Sequence, residues 1–346
     1  MVRRSPGFLQ HCSRARPETR TTLNPQVMLQ SPIRQRDRLF LQCLRLIPTN
    51  LARHLLFLLR SFPALADHWG YHIRAIHYYE PLPDFRDISE ARTRRRRESP
   101  AVNYNRPAQL ALVQRLGQAY RGELADLATA IDGEGFDFHN DYFAGLDATL
   151  YYALIRDLKP ARVIEIGSGY STRIAAKALE RNRAEGRSGE LICIEPYPEP
   201  RLAEAQLTIT LIRQRVEDVS LDLFEKLDAD DILFIDSSHT VKYGSDVCRE
   251  FLEILPRLKP GVWVHVHDIF FPHDYPVEWL IEKRIAFTEQ YLLEAFLAFN
   301  EGFSVQAANY WISHDHPNTV REICPPPLMP LGNVGTASFW MRRETH

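Results

Sequence analysis

Several charged side chains stand directly after short apolar runs, where they could handle a proton. Asp236 and His239 are three residues apart after the run 232–235, and Asp268 follows the run 262–266. An imidazole has an unperturbed pKa near neutrality, so it can accept a proton without a large shift. A carboxylate beside an apolar strand is costly unless it is solvated or bonded. These side chains therefore indicate a site rather than a core.

Acidic residues recur at the other apolar runs of the same half of the chain. They are Glu165 in the run 162–166, Glu195 after 190–194, and the pair Glu217 and Asp218 after 207–212. A purely structural sheet has no need for a polar residue at every strand end. Their recurrence favours a binding cleft.

Two glycines separated by one residue follow the first apolar run. Gly167 and Gly169 come directly after residues 162–166, and a helical pattern of apolar residues continues after Thr172. Glycine permits a tight turn and lets a ligand approach the backbone, while a helix start offers free N–H groups. A Gly-x-Gly pair alone also occurs in turns of purely structural use, so the neighbouring strands must decide its role.

Apolar runs alternate with helical patterns from residue 162 onward. Strands are predicted at 162–166, 190–195, 207–212, 231–236 and 262–268, and the clearest helices at 247–258 and 288–299. This alternation is typical of right-handed crossovers and a parallel sheet covered on both faces. We predict an α/β fold with a doubly wound, mostly parallel sheet. Ligands of such sheets bind at the C-terminal edge of the strands.

At this point the sequence resembles the class I S-adenosylmethionine-dependent methyltransferases over residues 137–343. Glu165-x-Gly167-x-Gly169 is similar to their first motif, whose glycine turn lies against the methionine part of the cofactor. The segments 303–307 and 337–342 can be the last two strands, which form an antiparallel hairpin in that family. The resemblance implies a seven-stranded sheet and S-adenosyl-L-methionine as the cofactor.

The resemblance also implies roles for individual residues. Glu195 matches the acidic residue that holds the ribose hydroxyls, and Glu217 with Asp218 matches the loop that meets the adenine. The implied cofactor-binding residues are Glu165, Gly167, Ser168, Gly169, Tyr170, Ser171, Glu195, Glu217, Asp218 and Asp236. Tyr170 could equally be a surface aromatic on the first helical turn.

The segments 235–239 and 267–270 are similar to a bacterial group of small-molecule and sugar O-methyltransferases. In related metal-assisted enzymes the fourth-strand aspartate binds Mg²⁺ and a lysine three residues later is the base. Here His239 takes the place of that lysine, so we expect His239 as general base, with Asp236 as metal ligand or orienting group and Asp268 facing the reacting centre. A capping or solvated role for His239 is the alternative.

The fifth strand departs from the pattern of the metal-assisted enzymes. Those enzymes place Asp-Asn on the metal, whereas this chain has Asp268 followed by Ile269, which cannot act as a ligand. A hard cation prefers several oxygens, and Asp236 with Asp268 supplies two. His267 is expected to face away from Asp268 unless the strand has ended. His265 is expected to pack in the core.

Two other classes of function compete with this interpretation. An NAD(P)-dependent oxidoreductase of similar sheet class would want a third glycine where Thr172 stands. A non-catalytic cofactor-binding protein would not need Asp236, His239 and Asp268 at the strand ends. The resemblance therefore favours a methyltransferase acting on a small molecule, such as a sugar.

The near-neutral total charge of −2 conceals two regions of opposite sign. Residues 1–100 contain 18 Lys and Arg against 8 Asp and Glu, and the remainder contains 24 against 36. An acidic catalytic half argues against a nucleic-acid substrate. The five cysteines have no paired spacing, so neither disulfides nor a zinc site are predicted.

We divide the chain into three predicted parts. Residues 1–36 form a flexible tail, 37–136 a helical N-terminal or cap region, and 137–346 the cofactor-binding methyltransferase domain. The cap region is expected to contain a long helix at 109–131 and a solvated Arg-rich linker at 94–97.

The first residues lack the apolar stretch of a signal peptide, so a cytoplasmic protein is expected. Residues 39–65 read as short basic amphipathic helices. Packing on the protein itself is their favoured role, and peripheral membrane contact is the alternative.

Overall fold

The computed structural model describes residues 60–68, 70–129, 140, 142–198, 207–324 and 336–345, together with 50, 51, 54 and 57. The predicted tail at 1–36 lies outside these residues. The chain forms two compact units, residues 1–84 and residues 85–346. Among the described residues, no helix combines the length and the hydrophobicity that crossing a bilayer requires.

The larger unit contains one seven-stranded sheet. Its strands are β1 (Arg162–Ile166), β2 (Glu190–Ile194), β3 (Thr210–Ile212), β4 (Ile232–Ile235), β5 (Trp263–Val266), β6 (Phe303–Ala308) and β7 (Phe339–Arg343). The order across the sheet is β3-β2-β1-β4-β5-β7-β6. Strands β1 to β5 are parallel, and β7 runs antiparallel to both β5 and β6. The predicted doubly wound, mostly parallel sheet is therefore confirmed, and its last two strands pair antiparallel, although helices separate them along the chain.

Helices connect and flank these strands. They are α1 (Pro63–His68), α2 (Glu90–Thr93), α3 (Arg106–Ala119), α4 (Arg121–Thr129), α5 (Gly145–Leu158), α6 (Tyr170–Ala184), α7 (Asp246–Arg249), α8 (Glu289–Leu297), α9 (Asn309–Asp315) and α10 (Pro317–Ile323). The central strands are apolar and buried on both faces, as expected of parallel strands beneath helices. Helix α5 is buried along almost its whole length and packs on α6.

Two predicted helices differ from the structure in their continuity. The helix predicted at 109–131 is two helices, because the backbone leaves the helical region at Tyr120, which caps α3; residue 131 lies outside the described residues. The helix predicted at 247–258 begins as α7, widens into a π-helical turn at Glu250–Ile254 and ends in a 3₁₀ turn that contains Pro256. Proline has no N–H to continue an α-helix.

In the Arg-rich segment at 94–97, Arg94, Arg95 and Arg96 are exposed, and two of the four side chains pair with acidic residues far along the chain. Arg96 forms an ion pair with Asp315 at 2.8 Å. Arg97 pairs with Glu294, and its backbone N–H donates to the carbonyl oxygen of Pro272 at 2.7 Å. The segment therefore contacts the rest of the larger unit at two arginines, while most of its charge stays exposed to solvent.

Candidate active site

The first glycine of the β1–α6 turn is required by a close approach of strand ends. Gly167 has a φ of 92°, and a β-carbon there would lie 2.2 Å from the carbonyl oxygen of Asp236. The N–H of Gly167 donates to the carbonyl of Ile194 at 3.0 Å, and the N–H of Asp236 donates to that of Ile166 at 2.9 Å. The C-terminal ends of β1, β2 and β4 therefore meet at this turn.

The second half of the turn leaves space for a ligand. A β-carbon at Gly169 would meet no described heavy atom within 4 Å. The hydroxyl of Ser168 is buried and has no hydrogen-bond partner among the described residues. Buried polar atoms normally find a partner, so this hydroxyl suits a polar group of a bound molecule. The turn thus has room for a polar ligand beside Gly169.

Glu165 lies in the core beneath the turn. Its carboxylate accepts hydrogen bonds from Tyr151 Oη at 3.0 Å and from Thr172 Oγ1 at 2.6 Å. Burial raises the pKa of Glu165 to about 7, although these hydrogen bonds partly oppose the rise. Thr172 Oγ1 also accepts the N–H of Gly169 at 3.0 Å. Glu165 therefore holds the turn through Thr172, with both carboxylate oxygens already bonded inside the protein.

The residues after Gly169 begin helix α6. The ring of Tyr170 stacks on Tyr142 with centroids 5.6 Å apart and planes 19° apart, and the guanidinium of Arg173 lies 5.8 Å from the centre of the Tyr170 ring. Ser171 is buried. Tyr170 is consequently part of an aromatic stack beside the turn rather than an isolated surface aromatic.

The acidic residues after β2 and β3 lie farther along the same sheet edge. Glu195 follows β2, where its N–H donates to the carbonyl of Ile212 at 3.0 Å and its carboxylate accepts the N–H of Tyr197 at 2.8 Å. Glu217 and Asp218 lie in a 3₁₀ turn after β3. Glu217 forms an ion pair with Arg215, and Asp218 is exposed.

The strongest concentration of titratable groups follows β4 and β5. The Nε2 atom of His239 lies 3.2 Å from Oδ1 of Asp236 and 3.4 Å from Oδ2 of Asp268. Its other ring nitrogen, Nδ1, lies 2.8 Å from Oε2 of Glu289. The Nδ1 atom of His267 lies 3.6 Å from Asp236 and 3.5 Å from Asp268. We call these five residues the acid–base cluster.

The backbone at the cluster adopts conformations that are uncommon for residues other than glycine. His239 and Asp268 both have a φ of 57°, in the left-handed region that costs on the order of 1 kcal/mol or more for such residues. The surrounding hydrogen bonds fix them there: Ser238 N and Oγ both donate to Asp246, at 2.9 and 2.6 Å. Such conformations gather at functional sites because the fold holds them there.

The exception stated for His267 applies, and its side chain does not face away from Asp268. Strand β5 ends at Val266, so His267 and Asp268 both lie beyond it. The positive φ of Asp268 turns the chain, and both side chains reach the same cluster. Strand alternation no longer governs side-chain direction once the strand has ended.

Mutual charges set the protonation of the cluster. Burial lowers the pKa of His239, but hydrogen bonds to Asp236 and Glu289 outweigh burial and raise this pKa well above its usual value. Burial opposes ionisation of Asp236 too, yet His267 and His239 hold the pKa of this carboxyl well below its usual range. For Asp268, burial has the largest effect and raises the pKa. Asp236 is the most open of these three, with 38% of its side chain exposed.

His265 has a structural place, as expected. It is fully buried, its Nε2 lies 2.7 Å from Ser338 Oγ, and its ring stacks on Phe234 with centroids 3.8 Å apart. Burial holds the pKa of His265 well below its usual value. A neutral, packed imidazole of this kind takes no part in the cluster.

Asp236 and Asp268 supply the oxygen donors that a divalent metal would need. No group of three or more His, Cys, Asp and Glu side chains among the described residues is arranged to hold a metal ion. Mg²⁺ commonly takes one or two carboxylates from the protein and its other ligands from water and substrate. The two aspartates fit that donor set.

Sequence reasoning missed two members of the cluster, His267 and Glu289. Glu289 lies 50 positions after His239 in the sequence, at the start of α8, and is fully buried. An acidic residue at the start of a helix is common, because it suits the helix dipole. No local signal distinguished Glu289, because its neighbours Thr288 and Gln290 are polar, as at an ordinary helix start.

The comparisons with known proteins agree with this fold. A family model described as a methyltransferase domain matches residues 164–269. A relative from Archaeoglobus fulgidus, called an uncharacterized protein, is 30% identical over 163 residues, which are 44% of this chain and 72% of the relative.

Among solved structures, the chain is similar to the O-methyltransferase TomG of Streptomyces achromogenes, determined in complex with SAM. That match has 18% identity, covers 68% of this chain and 90% of TomG, and has a TM-score of 0.36. An O-methyltransferase from Bacillus cereus, in complex with SAH, has 15% identity, 65% and 90% coverage, and a TM-score of 0.33.

Proposed function

The chain belongs to the class I S-adenosylmethionine-dependent methyltransferases, and we propose that it transfers the methyl group to a hydroxyl of a small molecule, such as a sugar. One observation carries the proposal. The Nε2 atom of His239 lies between the carboxylates of Asp236 and Asp268, beside the glycine turn that the backbone of Asp236 contacts. A proton acceptor is thereby adjacent to the expected methyl donor.

Methyl transfer from a sulfonium is an in-line displacement. S-adenosylmethionine would supply the methyl group and would leave as a neutral thioether, while the acceptor hydroxyl gives its proton to a base. Because the cofactor is already activated, the protein mainly holds the two reactants in line. The group that takes the proton is therefore the main chemical contribution of the side chains.

His239 is the base in this proposal. The neutral form of its ring accepts the hydroxyl proton at Nε2, and Asp236 and Asp268 stabilise the imidazolium that results. The same carboxylates raise the pKa of His239, so the neutral ring is a strong proton acceptor once it forms. Asp236, the more open of the two aspartates, also orients the incoming hydroxyl.

Asp236 and Asp268 would hold a divalent metal such as Mg²⁺. A metal supplies Lewis-acid chemistry, since it lowers the pKa of a hydroxyl that it binds. Proton acceptance at His239 is needed in either case, because the proton must leave the acceptor.

For the cofactor, we propose that the space beside Gly169 receives its methionine part. The proposed contacts are Ser168, Tyr170 and Ser171 for that part, Glu195 for the ribose hydroxyls, and Glu217 with Asp218 for the adenine. The unpartnered hydroxyl of Ser168 supports the first of these contacts. Residues 101–346 carry 24 basic against 36 acidic side chains, which supports a small molecule rather than a nucleic acid as acceptor.

The proposal is tested by binding first and by turnover second. Calorimetric titration with S-adenosylhomocysteine and, separately, NADH identifies the cofactor. Transfer of labelled methyl groups from S-adenosylmethionine to a panel of sugars and phenols then identifies the acceptor class. We expect S-adenosylhomocysteine to bind, and His239→Ala to keep that affinity while losing at least about 100-fold in turnover.

His314→Gln is the matched control, since His314 is exposed and lies outside the cluster. Full turnover by His239→Ala would eliminate the base role. Binding of NADH alone would favour the oxidoreductase, and cofactor binding without turnover on any acceptor would favour a non-catalytic binding protein.

A further inference from the structure

Glu289 is a buried carboxylate whose described side-chain partner is the imidazole of His239. Its Oε2 lies 2.8 Å from Nδ1 of His239, and the residue is fully buried. Its other oxygen, Oε1, has no hydrogen-bond partner in the described part of the chain. Burying a carboxylate without a full set of hydrogen bonds costs folding free energy. This cost indicates that Glu289 has a role at His239.

The backbone around Glu289 also holds the turn that carries His239. The N–H groups of Thr288 and Glu289 donate to the carbonyl oxygen of His239 at 2.9 and 3.1 Å. Thr288 Oγ1 accepts the N–H of Val241 at 2.7 Å. Through these contacts the start of α8 fixes the left-handed backbone of His239. It also fixes the Glu289 carboxylate beside the Nδ1 atom of the His239 ring.

A third contact limits rotation of the ring. Phe287 lies beside His239, with ring centroids 4.8 Å apart and planes at 49°. Phe287, Thr288 and Glu289 are consecutive, so one short segment contacts the face, the main chain and the Nδ1 edge of this histidine. The remaining ring nitrogen, Nε2, lies between the carboxylates of Asp236 and Asp268.

We propose that Glu289 is a positioning residue for methyl transfer. Its carboxylate accepts a hydrogen bond from the Nδ1–H group and thereby keeps the neutral ring in the tautomer whose Nε2 is unprotonated and directed at the acceptor. The choice of tautomer at one ring nitrogen is set by the hydrogen bond at the other. This inference rests on the proposed base role of His239, and it assigns a function to a residue fifty positions away in the sequence.

The charge of Glu289 also matters for the histidine once it is protonated. An imidazolium that gains a proton at Nε2 is stabilised by a carboxylate at Nδ1. An amide at position 289 can still accept a hydrogen bond from Nδ1–H through its carbonyl oxygen, but it brings no charge. Glu289→Gln therefore separates orientation from charge, and Glu289→Leu removes both.

The test combines kinetics with nuclear magnetic resonance of the ring nitrogens. We expect Glu289→Leu to lower kcat on the order of 100-fold with less than about a threefold change in KM, and Glu289→Gln to recover at least a tenth of the wild-type kcat. In ¹⁵N spectra recorded above the pKa of His239, wild type and Glu289→Gln should show a protonated Nδ1, whereas Glu289→Leu should show mixed tautomers.

Asp231→Asn is the control matched for burial. Asp231 is buried at the opposite end of β4, where it accepts hydrogen bonds from the N–H groups of Arg162 at 2.8 Å and Asp228 at 3.0 Å, and we expect its substitution to leave the His239 ring signals unchanged. Wild-type kcat in both Glu289 variants, or unaltered ring signals in Glu289→Leu, would overturn the positioning role.

The NMR result is independent of turnover, so failure of the base role, seen as full turnover by His239→Ala, is a separate outcome. If Glu289→Leu does not fold, the ring signals of Glu289→Gln decide the matter, because loss of the protonated Nδ1 there contradicts the proposal.

Discussion

The carbonyl oxygen of Asp236 lies 2.2 Å from the position that a β-carbon would take on Gly167. The turn proposed to bind the cofactor and the acid–base cluster therefore meet at a single backbone contact. Any side chain at position 167 would push the end of β4 away from the end of β1, and with it the first residue of the cluster.

We expect Gly167→Ala to damage both stability and cofactor binding. The alanine must shift the backbone of Asp236 and also adopt a φ near 92°, which together cost roughly 1–3 kcal/mol or more of unfolding free energy. Urea denaturation measures the loss of stability, and calorimetry with S-adenosylhomocysteine measures the loss of affinity.

Gly169→Ala is the companion variant, because a β-carbon there enters open space. Its unfolding free energy should stay within about 1 kcal/mol of wild type, while affinity for S-adenosylhomocysteine falls at least about tenfold as the methyl group enters the ligand's space. Equal loss of stability in the two variants, with affinity retained by Gly169→Ala, would contradict this assignment of the two glycines.

Glu165 should make the stability of the fold depend on pH. Its folded-state pKa is about 7, raised from 4.5 mainly by burial. Between these two values the folded protein binds more protons than the unfolded chain, so the unfolding free energy falls as pH rises. Between pH 5 and pH 8 the fall attributable to Glu165 is on the order of 2 to 3 kcal/mol.

The measurement compares urea denaturation of wild type and Glu165→Gln at several pH values. The difference between the two proteins isolates this group from the other titrating residues. Glu165→Gln should gain stability relative to wild type as pH rises from 5 to 8. A constant difference over that range would mean that Glu165 keeps an ordinary pKa despite its burial.

A divalent metal at Asp236 and Asp268 should appear as metal-dependent turnover. We expect a chelator to lower the methylation rate and Mg²⁺ to restore it, since a metal lowers the pKa of the acceptor hydroxyl. Asp268→Asn should lose the stimulation, because an amide oxygen carries no charge to hold a hard cation. Steady-state rates across a Mg²⁺ titration provide the measurement.

Asp222→Asn serves as its control, since Asp222 is an exposed aspartate after β3. It should respond to Mg²⁺ as the wild type does. Identical rates with chelator and with Mg²⁺ would show that no divalent metal takes part in turnover. Proton transfer would then be the only catalytic role of the cluster.

The sheet and its functional edge could be predicted because their signals are local. The apolar run 232–235 forms the buried strand β4, and the glycines after β1 indicate a turn directly. The number of strands and the antiparallel pairing of the last two then followed from the family that these motifs resemble, whereas the strand order came from the structure. Asp236, His239 and Asp268 were found for the same reason, as polar residues at the ends of apolar runs.

The direction of His267 and the role of Glu289 could not be predicted, because both depend on tertiary contacts. His267 joins the cluster since β5 ends one residue earlier and Asp268 takes a positive φ. Glu289 reaches His239 from a helix start far along the chain. The sequence pattern at either position is that of an ordinary strand or helix residue.

The chain from Glu165 through Thr172 to the N–H of Gly169 has a consequence for the evolution of this protein. A hydroxyl seven residues after a buried acid lets the two positions serve one purpose, so neither can change freely. Loss of the Thr172 hydroxyl would remove one hydrogen-bond donor from the buried carboxylate of Glu165. Loss of Glu165 would leave the Thr172 hydroxyl without the acceptor that orients it towards the turn. Related chains should therefore inherit Glu165 and Thr172 together or replace both at once.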